Sequence, residues 1–375
     1  MTLKVMTIAG TRPEIIKLSR VIAELDRHTR HVLVHTGQNY DYELNQVFFE
    51  ELGIRKPDHF LDAAGKTAAD TIAAVIARTD AVLEREAPDA LLLLGDTNSC
   101  LAAIAAKRRK VPVFHMEAGN RCFDDRVPEE INRRIVDHIS DINLPYTEHA
   151  RRYLLAEGLR PETVIKTGSP MREVLEHHAA DIDGSRVLQR LKLEPRGYFV
   201  VSAHREENVD SPDNLRELLA SLDALVRRHR KRVIMSTHPR TRQRLAAIGK
   251  RKLPAGIEFL KPLGFFDYVR LQRDAACVLS DSGTLTEESS ILAFPAVMIR
   301  QAHERPEGMD EGTLIMSGLE SARVLAAVKA TMAAYAANPR PFAIAADYLA
   351  DNVSAKVVRI ILSYTDYVNR RVWSK

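Results

Sequence analysis

Short apolar runs alternate with longer segments of helical periodicity along most of the chain. The runs at 89–94 and 111–115 are almost unbroken, and residues 98–109 between them have helical spacing. Strands that read as continuous hydrophobic runs are typical of parallel sheets that helices cover on both faces. The alternation therefore predicts a doubly wound α/β domain in the first half of the chain.

The predicted elements of this first half follow one another through short connections. Strands are predicted at 4–9, 32–36, 89–94, 111–115, 142–145 and 164–167, and helices at 15–25, 41–52, 68–86, 98–109 and from 128 onward. A polar turn is predicted at 37–41. Pro13 suits the first turn of the first helix.

The same alternation restarts in the second half, after a break at 168–170. An amphipathic segment at 171–192 leads to residues 195–197, which are predicted to be the linker. Strands are predicted at 198–203, 233–237, 257–260, 277–280 and 296–299, and helices at 212–229, 264–272, 283–292 and 319–336. Apolar residues spaced mostly three and four apart over 357–368 predict a terminal amphipathic helix. Two successive α/β halves without a sequence repeat predict two Rossmann-like domains facing across a cleft.

Composition agrees with two cores and narrows the classes of partner. A chain of 375 residues with 45% hydrophobic residues is too long for one ordinary core and apolar enough for two. The net charge is +4, and the strongest basic runs, at 107–110 and 227–232, each close a predicted helix, where cations complement the helix dipole. Aromatic residues do not interleave with these charges, so no nucleic-acid partner is expected.

The cysteines and the apolar runs indicate a cytoplasmic protein. The three cysteines are Cys100, Cys122 and Cys277. They are scattered along the chain and lack metal-ligand spacing, as expected of free thiols in a reducing compartment. Charged residues interrupt the first 20 positions, where a signal peptide needs an apolar region. No apolar run approaches the roughly 18 residues of a membrane span. We therefore expect a soluble protein without a membrane partner.

Three carboxylates mark the carboxyl ends of the central predicted strands. Asp96 follows the strand at 89–94, Glu117 follows the strand at 111–115, and Glu129 opens the next helix. Parallel sheets bind ligands outside the carboxyl ends of their strands, so these side chains are expected at one crevice. Gathered carboxylates repel one another, a cost that a fold tolerates mainly where acid/base chemistry needs it.

The turn after the first predicted strand is a candidate anion site. Gly10 and Pro13 lie between strand and helix, but the three-glycine fingerprint of dinucleotide-binding domains is missing, so NAD binding by that route is not expected. A helix N-terminus favours an anion, and Arg12 and Lys17 bring positive charge to the same place. The alternative is that both are ordinary surface charges.

The second half carries cationic groups after its own predicted strands. His204 and Arg205 follow the strand at 198–203, and Arg305 comes after the last predicted strand. A lone histidine is more often structural, but a histidine at a strand's carboxyl end beside an arginine is a candidate functional group.

A small polar turn precedes one of the predicted helices in this half. Ser282, Gly283 and Thr284 offer backbone N–H groups and hydroxyls to a diphosphate, and Glu288, one turn on, can accept from ribose hydroxyls. The alternative is a plain helix cap, in which Thr284 is the cap and Glu287 completes a capping box.

A zinc deaminase is a competing interpretation, because His115-Met116-Glu117 matches the first half of its signature. The cysteine pair that this signature requires downstream is absent from the sequence. No metal site is therefore expected.

Taken together, these motifs resemble the non-hydrolysing UDP-N-acetylglucosamine 2-epimerase family over essentially the whole chain. The matching segments, in order, are GTRPE at 10–14 with Lys17, GDT at 95–97, HMEAG at 115–119, PEEINR at 128–133, HREEN at 204–208, DSGTLTEE at 281–288 and ERPE at 304–307. Any one of them is weak, but seven in order are highly specific. Thr284 departs from the pattern, since the family usually has a second glycine there.

The resemblance implies a GT-B arrangement, a homodimer, and a reaction without metal, NAD or any other cofactor. It also implies that the C-terminal helix crosses back to the first domain. The expected N-terminal domain is therefore 1–170 together with 355–375, and the expected UDP-binding domain is 171–354.

The reaction that the resemblance implies is inversion at C2 of a UDP-2-acetamido sugar, by elimination of UDP to a 2-acetamidoglycal and re-addition. Such an elimination needs an acid/base group near C2 and cations at the departing diphosphate. The residues implied for proton transfer and sugar positioning are Asp96, Glu117 and Glu129, with His204 counted among the catalytic groups. The residues implied for UDP and its diphosphate are Arg12, Lys17, His204, Ser282, Gly283, Thr284 and Arg305, with Glu288 at the ribose and Arg133 either orienting Glu129 or meeting phosphate.

Three segments resemble the branch that forms UDP-N-acetyl-L-fucosamine from its L-talo precursor for capsule and O-antigen synthesis. These segments are HTGQNYDYELNQVFF, AGNRCFDDRVPEEINRR and VVRIILSYTDYVNR. The alternatives are a UDP-N-acetylglucosamine 2-epimerase that forms UDP-N-acetylmannosamine, a UDP-sugar glycosyltransferase of the same fold, and a non-catalytic UDP-sugar sensor. Fold alone excludes none of them.

Overall fold

The structure, a computed structural model, describes residues 2–37, 42–237, 239–247, 255–302 and 304–375. Contacts between residues divide the chain into two compact units. Unit 1 comprises Met1–His177 and Asp347–Lys375, and unit 2 comprises His178–Ala346. Apart from Gly37, the predicted polar turn at 37–41 lies outside the described residues.

Each unit is built on a parallel sheet. In the described part of the chain, the strands of unit 1 are β1 (Lys4–Ala9), β2 (Arg30–His35), β3 (His59–Phe60), β4 (Ala90–Leu94), β5 (Val113–Met116) and β6 (Ile142–Leu144). The strands of unit 2 are β7 (Tyr198–Ser202), β8 (Arg232–Ser236), β9 (Ile257–Leu260), β10 (Cys277–Ser280), β11 (Ala296–Met298) and β12 (Ile315–Met316).

The order of the strands is the same in the two sheets. It is β3-β2-β1-β4-β5-β6 in unit 1, and β12-β11-β10-β7-β8-β9, the same order read from the other edge, in unit 2. The paired strands are parallel throughout. This is the strand order of doubly wound Rossmann folds, so the predicted fold class, α/β with two Rossmann-like domains, is confirmed.

Helices connect the strands. In unit 1 and at the start of unit 2, the described α-helices are α1 (Arg12–His28), α2 (Tyr42–Glu51), α3 (Ala68–Glu86), α4 (Ala103–Arg108), α5 (Pro128–Ile139), α6 (Glu148–Ala156), α7 (Met171–His177), α8 (Ala179–Gly184) and α9 (Val187–Leu191). The remaining ones are α10 (Glu206–Val209), α11 (Pro212–His229), α12 (Pro239–Ala247), α13 (Phe265–Asp274), α14 (Thr284–Leu292), α15 (Pro306–Asp310), α16 (Ser321–Ala337) and α17 (Val353–Val372). None of the helices described is both long and apolar enough to cross a membrane.

The central strands are buried on both faces, as their continuous apolar sequence predicts. Every residue of β4 is at most 2% exposed, and every residue of β10 is at most 1% exposed. Burying one leucine or valine side chain stabilises a fold by roughly 1.5–3 kcal/mol. The two strands therefore form fixed supports for the turns at their carboxyl ends.

The C-terminal helix belongs to unit 1, as predicted. Helix α17 packs against α1. Ser354 N donates to Glu173 Oε2 at 2.9 Å, and Lys356 Nζ donates to Thr167 O at 3.1 Å. Both contacts join the end of the chain to the segment that precedes unit 2.

Some predicted elements differ from those observed. The predicted helix at 98–109 begins as a 3-10 helix, Asn98–Ala102, before α4. The predicted strand at 164–167 is reduced to one bridge between Val164 and Asn143. Residues 195–197, predicted as the linker, form a turn inside unit 2, and the chain leaves unit 1 after His177. Proline and glycine mark the turn at 195–197, but they do not show which turn joins two cores.

Candidate active site

The strand order creates one switch point at the centre of each sheet. Neighbouring strands that lead to opposite halves of the sheet are β1 and β4 in unit 1, and β7 and β10 in unit 2. Doubly wound sheets bind their ligands outside the carboxyl ends of the strands at such points. The turns concerned, at 10–11, 95–97, 203–205 and 281–283, carry or adjoin most of the predicted site residues.

The turn after β1 requires a glycine. A Cβ at Gly10 would lie 2.0 Å from Thr36 Oγ1 and 2.3 Å from Ser99 Oγ. These two hydroxyls are hydrogen-bonded to each other at 3.0 Å. Only glycine therefore fits at this position. The short turn joins β1 to α1 beside β4, so the positive end of the α1 dipole lies at the switch point.

Asp96 is oriented by a buried arginine of α5. Arg133 donates from Nε and Nη2 to Asp96 Oδ2, at 3.1 and 2.6 Å, and from Nη1 to Glu130 Oε2 at 2.7 Å. The Arg133 side chain is 4% exposed, whereas that of Asp96 is 26% exposed. Asp96 is therefore accessible but fixed in direction, as a group that transfers protons must be. The sequence predicted Glu129 or phosphate as the partner of Arg133 and did not predict Asp96.

Glu117 has an unusual backbone conformation and pairs with Lys17. Its φ of 62° lies in the left-handed region, which residues other than glycine rarely adopt. Lys17 Nζ lies 2.7 Å from Glu117 Oε2, and the Lys17 side chain is 3% exposed. Strained backbone of this kind clusters at functional sites. Lys17 is thus a buried residue, and the alternative that it is an ordinary surface charge is wrong.

A buried network holds the turn after β5. His115 Nε2 contacts Gly95 O at 2.6 Å, and its Nδ1 lies 3.0 Å from Asp137 Oδ1. Asp137 also accepts from Gly119 N and, at 2.7 Å, from Arg121. Burial opposes the imidazolium, but the hydrogen bond and the charge of Asp137 outweigh burial and raise the pKa of His115. His115 therefore ties the turn after β4 to the turn after β5.

Glu14 is a further buried carboxylate at this place, and the motifs alone predict no role for it. Its Oε2 accepts from Gly10 N at 2.6 Å and from Thr11 N at 2.8 Å, and its Oε1 accepts from Thr97 Oγ1 at 2.5 Å. Burial raises the pKa of Glu14 to about 7, although these hydrogen bonds oppose the shift. The signal in the sequence was the Thr-x-x-Glu spacing at 11–14, in which a glutamate reaches back to the start of its helix.

Three carboxylates act on the buried thiol of Cys100 through their charge. Burial raises the pKa of this thiol well above its usual range, and the negative charges of Glu14, Asp96 and Glu117 raise it further. Such electrostatic effects require short distances. Contacts agree with this grouping: Glu14 binds Thr97, the neighbour of Asp96, and Glu117 pairs with Lys17 of the helix that carries Glu14. We refer to Glu14, Asp96 and Glu117 as the carboxylate cluster.

Glu129 and Arg12 lie at the N-termini of the helices next to this cluster. Glu129 is partly exposed in the first turn of α5, one turn before Arg133. Arg12 is the first residue of α1, and its guanidinium lies 5.8 Å from the centre of the Phe48 ring. Both residues therefore belong to helices that also supply a contact of the cluster.

In unit 2, Asp281 organises the turn after β7. Its Oδ2 accepts from the backbone N–H groups of His204 and Arg205, each at 2.9 Å, and from Asn208 Nδ2 at 3.1 Å. Its Oδ1 lies 3.1 Å from His204 Nδ1. Burial opposes ionisation, but the charge of His204 and these hydrogen bonds lower the pKa of Asp281 to about 2. The contact fixes the ring of His204, so that Nε2 points away from Asp281.

Small residues form the turn between β10 and α14. Gly283 is the N-cap of α14, and Ser282 Oγ lies 3.0 Å from Thr284 Oγ1. A Cβ at Gly283 would meet Glu304 Oε2 at 3.4 Å. Backbone N–H groups and two hydroxyls therefore gather at a helix N-terminus, which is an arrangement that suits phosphate.

The capping-box interpretation of this turn is wrong. Thr284 is the first residue of α14 and not its cap. Glu287 Oε1 instead lies 3.0 Å from Arg305 Nη2, and both side chains are buried. Glu288 Oε2 accepts from Gln272 Nε2 at 2.7 Å. Arg305 is thus held against α14, and Glu288 of α14 is held by α13.

The predicted site residues fall into two sets, one in each unit. Unit 1 carries Arg12, Lys17, Asp96, Glu117, Glu129 and Arg133, and unit 2 carries His204, Ser282, Gly283, Thr284, Glu288 and Arg305. The motifs did not single out Asp137 or Asp281, whose contacts hold neighbouring turns. Over the described ranges, no group of three or more His, Cys, Asp or Glu side chains is placed to hold a metal ion.

Known proteins match this chain over nearly its full length. The family profile described as UDP-N-acetylglucosamine 2-epimerase matches residues 23–362. The chain is 57% identical to a solved UDP-N-acetylglucosamine 2-epimerase from Rickettsia bellii, with a TM-score of 0.94 and 100% of both chains covered. It is 30% identical to Methanocaldococcus jannaschii UDP-GlcNAc 2-epimerase, solved in complex with UDP-GlcNAc and UDP, with a TM-score of 0.89 and 96% of this chain and 100% of that chain covered.

A relative that acts on a different sugar also matches. The UDP-2,3-diacetamido-2,3-dideoxy-D-glucuronate 2-epimerase of Pseudomonas aeruginosa is 33% identical over 333 residues, which are 86% of this chain and 92% of that relative. The profile and the relatives agree with the seven motifs and with the observed fold. The chain belongs to the non-hydrolysing UDP-N-acetylglucosamine 2-epimerase family.

Proposed function

We propose that the protein is a UDP-sugar 2-epimerase that inverts C2 of a UDP-2-acetamido sugar. The observation that carries the proposal is the carboxylate cluster of unit 1, in which Asp96 and Glu117 follow neighbouring strands at the switch in strand order. A relative with the same fold binds UDP-GlcNAc and UDP. Carboxylates in close proximity provide acid/base groups where the fold is expected to place a ligand.

The proposed reaction is an elimination followed by an addition. A base takes the proton from C2, the C–H electrons form the C1=C2 bond of a 2-acetamidoglycal, and the C1–O bond breaks so that UDP leaves with its electron pair. UDP then adds back to C1, and a proton is delivered to the opposite face of C2. Because proton loss and departure of UDP occur together, no free carbanion forms, and the catalytic demands are a positioned base and stabilised diphosphate charge.

The residues of unit 1 are assigned to proton transfer and to charge. Asp96, Glu117 and Glu129 transfer protons and position the sugar, and Arg12 and Lys17 stabilise the diphosphate. Arg133, through its contacts at 2.6 and 3.1 Å, holds Asp96 in position.

The residues of unit 2 are assigned to the nucleotide. His204, oriented through Nδ1 by Asp281, directs Nε2 to the diphosphate. The remaining assignments are Ser282, Gly283, Thr284 and Arg305 to the diphosphate and Glu288 to the ribose. The helix N-terminus at Gly283 supports the first of these assignments, because unpaired N–H groups there attract phosphate.

The proposed product is UDP-N-acetyl-L-fucosamine, made for capsule or O-antigen synthesis by a cytoplasmic homodimer. Segments 35–49, 118–134 and 357–370 support this branch through their resemblance to it. The alternative substrate is UDP-N-acetylglucosamine, which gives UDP-N-acetylmannosamine. Relatives with nearly the same identity act on different sugars, so identity alone does not select the substrate.

The test is incubation of the purified protein with each candidate UDP-2-acetamido sugar, followed by NMR of the sugar ring. The proposal predicts that one substrate and its C2 epimer reach an equilibrium with UDP retained on the sugar. A glycosyltransferase would require an acceptor and release UDP stoichiometrically, and a sensor would bind without forming an epimer. Either result would contradict the proposed epimerase function.

Asp96→Asn tests the carboxylate assignment directly. We expect kcat for epimerisation to fall about 100-fold or more, which is the usual contribution of a positioned acid or base, while UDP affinity stays close to that of the wild type. Initial rates and calorimetric titration with UDP measure the two quantities. Asp80→Asn is the matched control, because Asp80 also pairs with an arginine, Arg109, but lies away from the switch point. Equal loss in both variants would argue against a catalytic role for Asp96.

A further inference from the structure

Glu14 connects two turns of unit 1 that adjoin candidate catalytic residues. Its Oε2 accepts from Gly10 N and Thr11 N at the start of α1, and its Oε1 accepts from Thr97 Oγ1 after β4. The side chain is 2% exposed, so protein donors replace the water that a carboxylate normally binds. A buried carboxylate bridging two turns fixes their separation.

Thr97 transmits this contact to Asp96, the residue directly before it. The Thr97 side chain accepts from Ser99 N at 3.2 Å and caps the short helix that follows. Its hydroxyl has one hydrogen to donate, and it donates that hydrogen to Glu14. Asn132 Nδ2 contacts Asp96 O at 2.9 Å from α5. The backbone around Asp96 is thereby held from two helices.

The direction of the Thr97 hydrogen bond depends on the ionisation of Glu14. An ionised carboxylate accepts from every donor that faces it, whereas a protonated carboxyl has an O–H group that must donate. Both backbone N–H groups point to Oε2, so a proton on Glu14 would sit on Oε1 and face Thr97. Protonation therefore reverses the contact that reaches the Asp96 turn.

Charged and titratable groups also lie on the elements around Glu14. They are Arg12 and Lys17 on α1, Asp96 and the thiol of Cys100 after β4, Glu117 after β5, and Arg133 on α5. Burial raises the pKa of Glu14 to about 7. The charge of this buried group therefore changes near neutral pH.

We propose that Glu14 is a positioning residue for epimerisation: its ionised carboxylate receives the Thr97 hydroxyl hydrogen and thereby holds Asp96 in the geometry for proton transfer. The inference rests on the proposed function and adds to it a residue that touches neither sugar nor nucleotide in that scheme. The proposed role requires the carboxylate form of Glu14. A variant with a neutral side chain of the same shape should therefore fold and still lose activity.

The test compares Glu14→Gln, Thr97→Val, their double variant and Thr97→Ser. Glutamine keeps an oxygen for Gly10 N and Thr11 N and presents an amide N–H group to Thr97, which reproduces the reversed hydrogen bond. We expect kcat to fall about 10- to 100-fold in Glu14→Gln and in Thr97→Val, because Asp96 is no longer held in the geometry for proton transfer. KM and UDP affinity should stay close to those of the wild type, because no binding group is removed. The double variant should lose no more activity than the less active of the two single variants, because each substitution removes the same Glu14–Thr97 contact.

Two control variants distinguish loss of the Glu14–Thr97 contact from a general effect of substitution on folding or activity. Glu24→Gln removes a charge from the side of α1 where Glu24 pairs with Arg27 and His28, and it should keep wild-type kcat. Thr97→Ser keeps the hydroxyl and should keep most activity. The wild-type kcat should rise with pH through about 7, and this limb should be missing from Glu14→Gln.

Several results would overturn the inference. Wild-type kcat in Glu14→Gln, additive losses in the double variant, or equal loss in Thr97→Ser and Thr97→Val would each do so while leaving the epimerase function in place. If Glu14→Gln does not fold by circular dichroism, the two Thr97 variants and their pH profiles decide the question. A wild-type protein that epimerises no UDP-sugar overturns the proposed function, and the inference with it.

Discussion

At the scale of single residues, two buried carboxylates of this protein have opposite pKa shifts for a clear reason. Asp281 is next to the imidazole of His204 and accepts from two backbone N–H groups, and together these lower its pKa to about 2. Glu14 accepts only from neutral donors, the N–H groups of Gly10 and Thr11 and the hydroxyl of Thr97, and burial raises its pKa to about 7. A charged partner therefore decides which buried acid stays ionised.

Glu14 should make the stability of unit 1 depend on pH. Its pKa is about 7 in the folded protein and about 4.5 in an unfolded chain, so its contribution to stability is present below pH 4.5 and is lost as the pH rises through 7. Between pH 5 and pH 8 we expect the wild type to lose about 2–3 kcal/mol in the free energy of unfolding relative to Glu14→Gln. Urea unfolding followed by the fluorescence of the single tryptophan, Trp373, measures this in unit 1.

The comparison between the two proteins removes the contribution of all other titrating groups. Parallel stability curves for wild type and Glu14→Gln from pH 5 to pH 8 would show that Glu14 has no raised pKa.

The sequence motifs identified candidate residues that directly follow strands. They did not identify the residues whose side chains hold the turns in place. Asp96 and Glu117 follow unbroken apolar runs, so their position at a sheet edge could be predicted. Glu14 has the same spacing from its helix start as any capping-box glutamate. Its burial and its contact with Thr97 depend on how β4 lies beside β1, which local sequence does not contain.

At the scale of elements, strands were predicted better than the segments between them. A fully buried strand has a nearly continuous apolar sequence, and the fully buried strands β4 and β10 were predicted within a residue of their observed ends. The segment at 98–109 has helical spacing, but it begins as a 3-10 helix over Asn98–Ala102, whose N-cap is Thr97. The edge strand β12 has two residues and was not predicted, because so short a pairing leaves no pattern.

Gly10→Ala tests the packing of the turn between β1 and α1. The added Cβ would lie within 2.3 Å of the hydroxyls of Thr36 and Ser99, so neighbouring elements must move apart. We expect a loss of about 1–3 kcal/mol in the free energy of unfolding, as for other overpacked sites. Urea unfolding followed by circular dichroism provides the measurement.

Gly184→Ala is the control for this substitution. No atom lies within 4 Å of a Cβ at Gly184, and its backbone does not require glycine. It should leave stability unchanged or raise it slightly, because alanine has fewer unfolded conformations. Equal stability of the Gly10→Ala and Gly184→Ala proteins would contradict the close packing of this turn.

At the scale of the whole molecule, the same strand order occurs twice without a sequence repeat. The two α/β units could be predicted because strand and helix patterns alternate in both halves. The sequence did not show where the chain leaves unit 1. The contacts that decide this, such as Lys166 Nζ to Asp347 Oδ1 at 2.7 Å, join residues 181 positions apart. Long-range ion pairs of this kind have no local signal.

Deleting 347–375 tests the assignment of the chain's end to unit 1. The deletion removes α17 from α1 and the partner of Lys166, so unit 1 should lose stability while unit 2 keeps its own core. Native-state hydrogen exchange should show lost protection in β1 and β4 and unchanged protection in β7 and β10. Equal loss of protection in both sets of strands would contradict the division into two units.

The central claim is that carboxylates of unit 1 remove and return the proton at C2 of a UDP-sugar. The most direct measurement is the deuterium content at C2 after the wild-type protein has converted the sugar in heavy water. The account predicts that every molecule of the epimer carries solvent deuterium at C2, and that Asp96→Asn incorporates deuterium at least about 100-fold more slowly. An epimer that keeps its original hydrogen at C2 would contradict the account.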